Sequence, residues 1–445
     1  MINLFDHYNQ ASWDLHFSLL KAGYRHPTVV IVDDGFLPED VTSPYLFFTG
    51  FANASGKPRY FNDLVLPRFW EIRATNQQAE VYNFHEKKAT IHYWPAGHNR
   101  LIQSVDWLDS KGRVRWIDRY NRFGYRFAQT SINEDGEWLK TSYYNRDGKE
   151  VILENHVTGD LLLTYQDKHY IFHQKQEFIH FYLKQAGFTL DRIFYNSLST
   201  PFFLTLLVEE KGSDILFWQE PIIDGIPGNM QGILKGGKRE TKILVQDQAT
   251  YQKLLALLPP ESKATVDYLG LQYPFKEKQV FTPEALLLTN SDQLEQVEVL
   301  LQALPELIIH IAAVTEMSSK LLSLSRYPNV RLYPNVTVAK AQELLRTTSF
   351  YFDINHHSEI LSAVRAAFEY QSVILAFDNT IHDTRYVASK HCFSPENTGD
   401  FIACVKSYLA HPEKVEEGLN QQKKQANTAE SSHYQLMIGE VTEED

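Results

Sequence analysis

The chain has 445 residues, 43% of them hydrophobic, which is too many for one core and predicts two or three domains. A formal net charge of −12 offers no compensating basic surface for a polyanion, so nucleic acid is excluded as the expected partner. No apolar run approaches the roughly 18 residues of a membrane span, the start MINLFDHYN lacks the basic and apolar regions of a signal peptide, and Cys392 and Cys404 alone make no disulfide framework, so a soluble cytosolic protein with buried thiols is expected.

The opening residues read as strand, helix, strand. INLFD is followed by the amphipathic run SWDLHFSLLKAGY, ending at Gly23, and then by PTVVIVDDG, an apolar strand closed by an Asp-Gly turn. From about Pro44 to Lys175 short β-type runs take over: AEVYNFHEK, ATIHYW, RLIQSVDWLD, RVRWIDRY, YRFAQTSI, EWLKTSYY, EVILEN, DLLLTY and HYIFH. Glycines at 112, 124, 136 and 148, in DSKG, NRFG, NEDG and NRDG, repeat every twelve residues, the spacing of successive antiparallel hairpins. Polar residues vanish from neither face of these strands, so the sheet is expected to stand partly uncovered and to serve an interface.

The α/β rhythm then resumes through QEFIHFYLKQAG, RIFYNS, TPFFLTLLVEEKG, DILFWQE, TKILVQD and QATYQKLLALL. From Glu284 a second series alternates ALLLTN, LIIHIAAV, VRLYP, SFYFDIN and SVILAF with helical segments, predicting a parallel sheet covered on both faces. The expected organisation is a Rossmann-like domain over 1–45 and 175–270, an extended β-sheet insertion over 46–174, a second Rossmann-like domain over 271–420 and a polar, frayed tail over 421–445. The fold class is therefore α/β, two Rossmann-like domains in the GT-B plan with a large antiparallel insertion in the first.

The start NLFDHYN, the run PTVVIVDDGFLPEDVTSPY, the β insertion and INHHSEILSAVRAAFEY together resemble, over most of the chain, the accessory subunit family of the bacterial O-GlcNAc transferase that glycosylates serine-rich-repeat adhesins. That resemblance implies a non-catalytic stabiliser and chaperone, working in the cytoplasm at the inner face of the cell membrane before export through an accessory Sec route. Its implied partners are a paralogous catalytic GT-B subunit, met through the β insertion, and the Ser/Thr-rich adhesin polypeptide held in the GT-B cleft. No cofactor and no metal are implied.

Three features bear on catalysis. Retaining GT-B members carry E-x-F-G-x-x-x-x-E at the loop and helix where NHHSEILSAVRAAFEY lies. With Glu369 as the final Glu, the first falls on Leu361 and the Gly on Val364; with Glu359 as the first, the Gly falls on Ser362 and the last Glu on Ala367. A helix expected to start near Ser358 would spend its N–H groups on its own carbonyls. Secondly, Gln279 to Ser319 contains no Lys or Arg beside Glu284, Asp292, Glu295, Glu298, Glu306 and Glu316, where retaining members place cations against a leaving diphosphate. Thirdly, the first loop, HYNQASW, has no glycine.

The candidate acceptor- or sugar-binding residues are Asp6, His7, Tyr8 and Asn9 in that first loop, Thr289, Asn290 and Ser291 after the first strand of the second domain, and Asn355, His356, His357, Ser358 and Glu359 after SFYFDI. The first-loop set and the set Asn355 to Glu359 each have a bland reading beside the functional one, as turn and cap residues satisfied locally. Adjacent histidines point apart and lack a third ligand at matching spacing, so neither metal nor catalytic residues are assigned. The alternatives are an active retaining transferase using UDP-GlcNAc, and a non-hydrolysing epimerase, for which no basic phosphate cluster is found.

Overall fold

The computed structural model describes residues 1–75, 77–95, 99–277 and 280–439. The chain forms two compact units, Met1–Leu269 together with the chain from Ser431 onward, and Gly270–Glu430.

The first unit is built on seven parallel strands, Ile2–Phe5, Thr28–Val30, Val41–Thr42, Ile193–Tyr195, Ser213–Trp218, Glu240–Val245 and Val266–Tyr268. Across the sheet they run third, second, first, fourth, fifth, sixth, seventh, so the winding reverses between the first and fourth strands. Runs such as Ile2–Phe5 are buried throughout, as strands covered on both faces must be. The helix Gln10–Ala22 begins where the Asn9 side chain accepts the Ser12 N–H at 3.0 Å and ends at Gly23, whose φ of 105° a Cβ would disfavour. The expected frayed tail is instead helical over Val415–Gln425 and Ser431–Ile438, and the second of these helices packs on Gln10–Ala22. Its polar composition hides two buried residues that decide the matter: Tyr434 is 0% and Ile438 6% exposed. Lys242 Nζ donates to the Met437 carbonyl at 3.1 Å and Arg192 to that of Ile438 at 2.6 Å. The last six residues of the expected tail, 440–445, lie outside the described residues.

The second unit has six parallel strands, Glu284–Thr289, Ile308–Ala313, Val330–Tyr333, Phe350–Asp353, Val373–Phe377 and the short Cys392–Phe393. Their order is again third, second, first, fourth, fifth, sixth, with the reversal between Glu284–Thr289 and Phe350–Asp353. In doubly wound sheets, ligands lie at the strand carboxyl ends beside such a reversal.

Between the third and fourth strands of the first unit stands a ten-stranded antiparallel meander: Trp70–Ala74, Gln78–Asn83, Glu86–Tyr93, Ile102–Leu108, Val114–Tyr120, Arg126–Ile132, Trp138–Tyr144, Glu150–Asn155, Leu161–Tyr165 and Lys168–Phe172. AEVYNFHEK, expected as one strand, is a hairpin turning at Phe84, where φ is 54°. The twelve-residue repeat is one device used four times. Asp109, Asn121, Asn133 and Asn145 each accept two backbone N–H groups, two and four residues on, and the glycine three residues on takes a left-handed φ between 75° and 86°. This is a tight turn followed by a glycine bulge.

Cross-strand registers explain why neither face of the meander is simply apolar. One face carries the row Ala79, Ile91, Val105, Asp118, Gln129, Ser142, Leu153, Leu162, Ile171. Its first three members are buried beneath Phe61 and Leu64, whereas Leu162 and Ile171 are 40% and 63% exposed. The opposite face carries Arg73, Glu80, Thr90, Asp106, Ile117, Thr130, Thr141, Glu154, Leu161, Phe172. Here it is the far end that is covered, with Ile152, Leu161 and Leu163 packed on Tyr45, Phe48 and Phe178. The sheet therefore exchanges its buried face across its width. Glu154 pins that junction, accepting from the Tyr45 hydroxyl and pairing with Lys175 at 3.0 Å.

Candidate functional site

At the reversal in the first sheet, the chain after Phe5 meets the turns after Tyr195 and Trp218. Asp6 accepts from the Ser197 hydroxyl at 2.6 Å. Asn196 donates to Ser12 Oγ at 3.0 Å and to Gln219 Oε1 at 3.1 Å, and Gln219 donates to the Ala11 carbonyl at 2.9 Å. Of the four residues singled out in this loop, Asn9 is the helix cap, and Tyr8 is hydrogen-bonded to His16 Nδ1 at 2.7 Å. Burial raises the Tyr8 phenol well above its ordinary range and lowers the His16 pKa, keeping both neutral. From His16 the contacts continue inward to Thr28 and Asn3. Asp6 is half-buried and His7 exposed. This edge thus presents Asp6, two amides, Ser197 and the His7 imidazole, with the exposed Asp34 carboxylate interacting with His7.

At the second reversal the residues chosen from sequence come together and bond to one another. The Thr289 hydroxyl, fully buried, donates to the Ser291 carbonyl at 2.6 Å and lies 3.0 Å from Asn355 Oδ1. The Asn355 amide donates to Asn290 Oδ1 at 3.2 Å and to the His357 carbonyl at 3.1 Å, and Asn290 reaches Ser358 Oγ at 3.2 Å. His356 pairs with Glu295 at 2.8 Å, and Glu295 also accepts from Asn379 at 2.9 Å. The His357 ring and the Ser358 hydroxyl face outward as exposed groups.

The key group here was not legible in the sequence. Asp353, 2% exposed, binds His382 through its backbone N–H at 2.8 Å and through ring Nδ1. Nε2 of the same ring faces the His357 carbonyl. With an acceptor at each nitrogen the ring must carry both protons, and the Asp353 hydrogen bond, against the cost of burial, pushes its pKa up to about 9. A buried charge pair thus clamps the loop that carries the histidines. The one available signal was Asp353 itself, a carboxylate closing an otherwise apolar strand.

The helix after this loop begins at Ala363, five residues later than expected. Residues 358–362 resist helix because Leu361 and Ser362 are left-handed, with φ of 55° and 49°, and Ala363 N–H turns back to Ile360. Ser362 therefore holds a conformation natural to glycine, which favours the register with Glu359 as the first Glu of the retaining pattern and places Ala367, fully buried, where the last Glu would stand. Glu359 accepts the Val364 N–H at 2.9 Å, so the helix start is occupied by the chain's own carboxylate, whose pKa is raised by desolvation. Glu369 is instead paired with Arg365 at 2.8 Å. Among the described residues no group of three or more His, Cys, Asp or Glu is placed to hold a metal ion.

Four family models match the chain: the GtfB N-terminal domain over residues 2–48, the GtfB middle domain over 70–173, the GtfB third domain over 175–257 and the GftB/GlyA-F C-terminal domain over 285–422. The UDP-N-acetylglucosamine–peptide N-acetylglucosaminyltransferase stabilizing protein GtfB of Streptococcus gordonii is 43% identical, covering 98% of this chain and 97% of that protein. A chain in the crystal structure of a GtfA/B complex bound to UDP and GlcNAc superposes with a TM-score of 0.94 at 42% identity, covering 98% of this chain and 99% of that one. The pneumococcal O-GlcNAc transferase GtfA, crystallised with UDP and GlcNAc, superposes at 0.53 with 12% identity, over 97% of this chain and 96% of that one, a likeness of fold alone. The chain belongs to the GtfB family of stabilizing proteins of UDP-N-acetylglucosamine–peptide N-acetylglucosaminyltransferases.

Proposed function

We propose that this chain is the non-catalytic subunit of a protein O-GlcNAc transferase, stabilising a paralogous catalytic chain and holding the Ser/Thr-rich acceptor polypeptide. The observation that carries the non-catalytic part is the start of the helix Ala363–Glu369. A sugar-nucleotide diphosphate placed there would have to displace Glu359, the surrounding groups Thr289, Asn290, Asn355 and Ser358 bond to one another and to backbone, and the one cation described beside them, His382, is already paired with Asp353.

The acceptor role rests on the polar edge of the first sheet. Asp6, Asn196, Ser197 and Gln219 stand where doubly wound sheets bind ligands, and their chemistry suits a neutral polypeptide rich in hydroxyls and amides. The partner role falls to the meander, whose strand Lys168–Phe172 is an edge and whose Leu162 and Ile171 are exposed. Association with the inner membrane face belongs to the same proposal and would be peripheral, since no described helix is long and apolar enough to cross a membrane.

The decisive assay pairs the purified chain, alone and with its catalytic paralogue, with UDP-GlcNAc and a Ser/Thr-rich peptide. The chain alone is expected to bind peptide and to neither hydrolyse nor transfer the sugar nucleotide, and transfer by the paralogue is expected to rise and persist longer in its presence. Turnover by this chain alone would sink the proposal.

A further inference from the structure

The run PTVVIVDDGFLPEDVTSPY, Pro27 to Tyr45, forms a joint inside the first unit. Ile31 and Val32 donate their N–H groups to the Phe5 and Asp6 carbonyls at 2.9 and 2.8 Å, which ties the run to the polar edge of the first sheet. Asp33 follows, 8% exposed, and gathers donors from two separate segments. Its Oδ1 accepts the Gly35 N–H at 2.8 Å and its Oδ2 the Ser43 hydroxyl at 2.6 Å. Burial pushes its pKa up to about 6, so at pH 7 it is mainly ionised and accepts at both oxygens.

Both segments lead to the meander. The Gly35 carbonyl accepts the Arg122 N–H at 2.8 Å; at this glycine φ is 88°, and a Cβ would stand 2.5 Å from the Tyr120 carbonyl oxygen, so backbone lies directly against a meander turn. Phe36 stacks on Trp94 beyond the third meander strand, with ring centroids 4.8 Å apart and planes at 12°. Ser43 caps the helix Pro44–Phe48 by accepting the Leu46 N–H at 2.9 Å, and that helix sets Tyr45 against Tyr143 at 4.2 Å and in a hydrogen bond to Glu154. One buried carboxylate thus links the edge that carries Asp6 to meander positions from Trp94 to Glu154.

We infer that Asp33 is a positioning residue for transfer by the catalytic partner: the joint it closes fixes the angle between the acceptor edge and the meander, and with it the alignment of a bound polypeptide on the partner's reacting centre. The inference rests on the acceptor and partner readings above and goes beyond them in naming the residue through which the two act together. A displacement of about 1 Å, caused far from the chemistry, can cost about a hundredfold in rate.

The test is the kinetics of GlcNAc transfer from UDP-GlcNAc to a Ser/Thr-rich peptide by the catalytic paralogue saturated with full-length wild type, D33N, G35A or W94L, together with the affinity of each chain for the paralogue and for the peptide. D33N keeps the volume of Asp33 but turns an amide toward one of the two donors, G35A sets a Cβ against Tyr120, and W94L removes the stacked ring while leaving both Asp33 hydrogen bonds in place. All three are expected to lower kcat about fivefold or more, with KM and both affinities within about twofold of wild type. An unchanged kcat in D33N, or in W94L where D33N does not fold, overturns the inference while leaving the partner and acceptor readings intact. A rate loss that merely follows weakened affinity and vanishes at saturation makes Asp33 a structural residue only and equally overturns it. A wild-type chain that neither binds the paralogue nor raises its transfer overturns the readings on which the inference rests.

Discussion

The two strand-order reversals of this protein differ in what their side chains are bonded to. In the first sheet Asp6, Asn196, Ser197 and Gln219 make a few contacts at a half-exposed edge; in the second, Thr289, Asn290, Asn355, Glu359 and His382 are engaged by neighbours and backbone. The same topology thus carries one half-exposed polar edge, proposed above to take a guest, and one closed on itself. The position of a site is inherited from the winding of the sheet, but its availability is decided by what the side chains have already bound.

The contrast is broken most forcefully at the buried pair. Asp353→Ala leaves the His382 imidazolium without its counter-ion and is expected to cost about 3–5 kcal/mol of stability, measured by denaturant unfolding; a loss below about 1 kcal/mol would mean that the second edge is not closed by this clamp. Next comes its pH dependence. The folded-state pKa of His382 lies near 9, above the value of about 6.5 for an unfolded histidine, so its contribution is complete below about pH 6.5 and disappears as pH rises through about 9. The wild type is expected to lose stability across that window relative to His382→Gln, by less than the full shift implies because water screens part of the interaction. Glu359→Ala removes the cap on Val364 and should cost about 1 kcal/mol while leaving UDP-GlcNAc unbound, as read by calorimetry; tight binding would mean that the carboxylate alone was holding the nucleotide out. Smallest in stability is Asp6→Ala, at no more than about 1 kcal/mol, yet it is expected to weaken binding of a Ser/Thr-rich peptide several-fold. Equal peptide binding by Asp6→Ala and wild type would erase the difference between the edges.

Much of this architecture was legible because regular spacing reports backbone geometry directly. The glycines at 112, 124, 136 and 148 marked real turns, and their companions Asp109, Asn121, Asn133 and Asn145 supply the side chains that close them. Runs such as ALLLTN and SVILAF became buried parallel strands. Local propensity misled where distant contacts prevailed. SEILS reads as helix, yet Leu361 and Ser362 are held left-handed, and the polar segment after Gln425 folds because Tyr434 finds a buried place in the first unit. His382 and Asp353 lie 29 positions apart with no pattern joining them, so only the fold could pair them.

The meander's strand count carries a constraint of its own. Because ten antiparallel strands are even in number, the polypeptide comes back to the side from which it set out, and the host sheet resumes without a long return connection. A single twelve-residue unit added or lost would send the chain out at the far side, so such a module can lengthen or shorten during descent only in pairs of strands. Relatives with larger or smaller insertions should therefore differ in steps of about twenty-four residues.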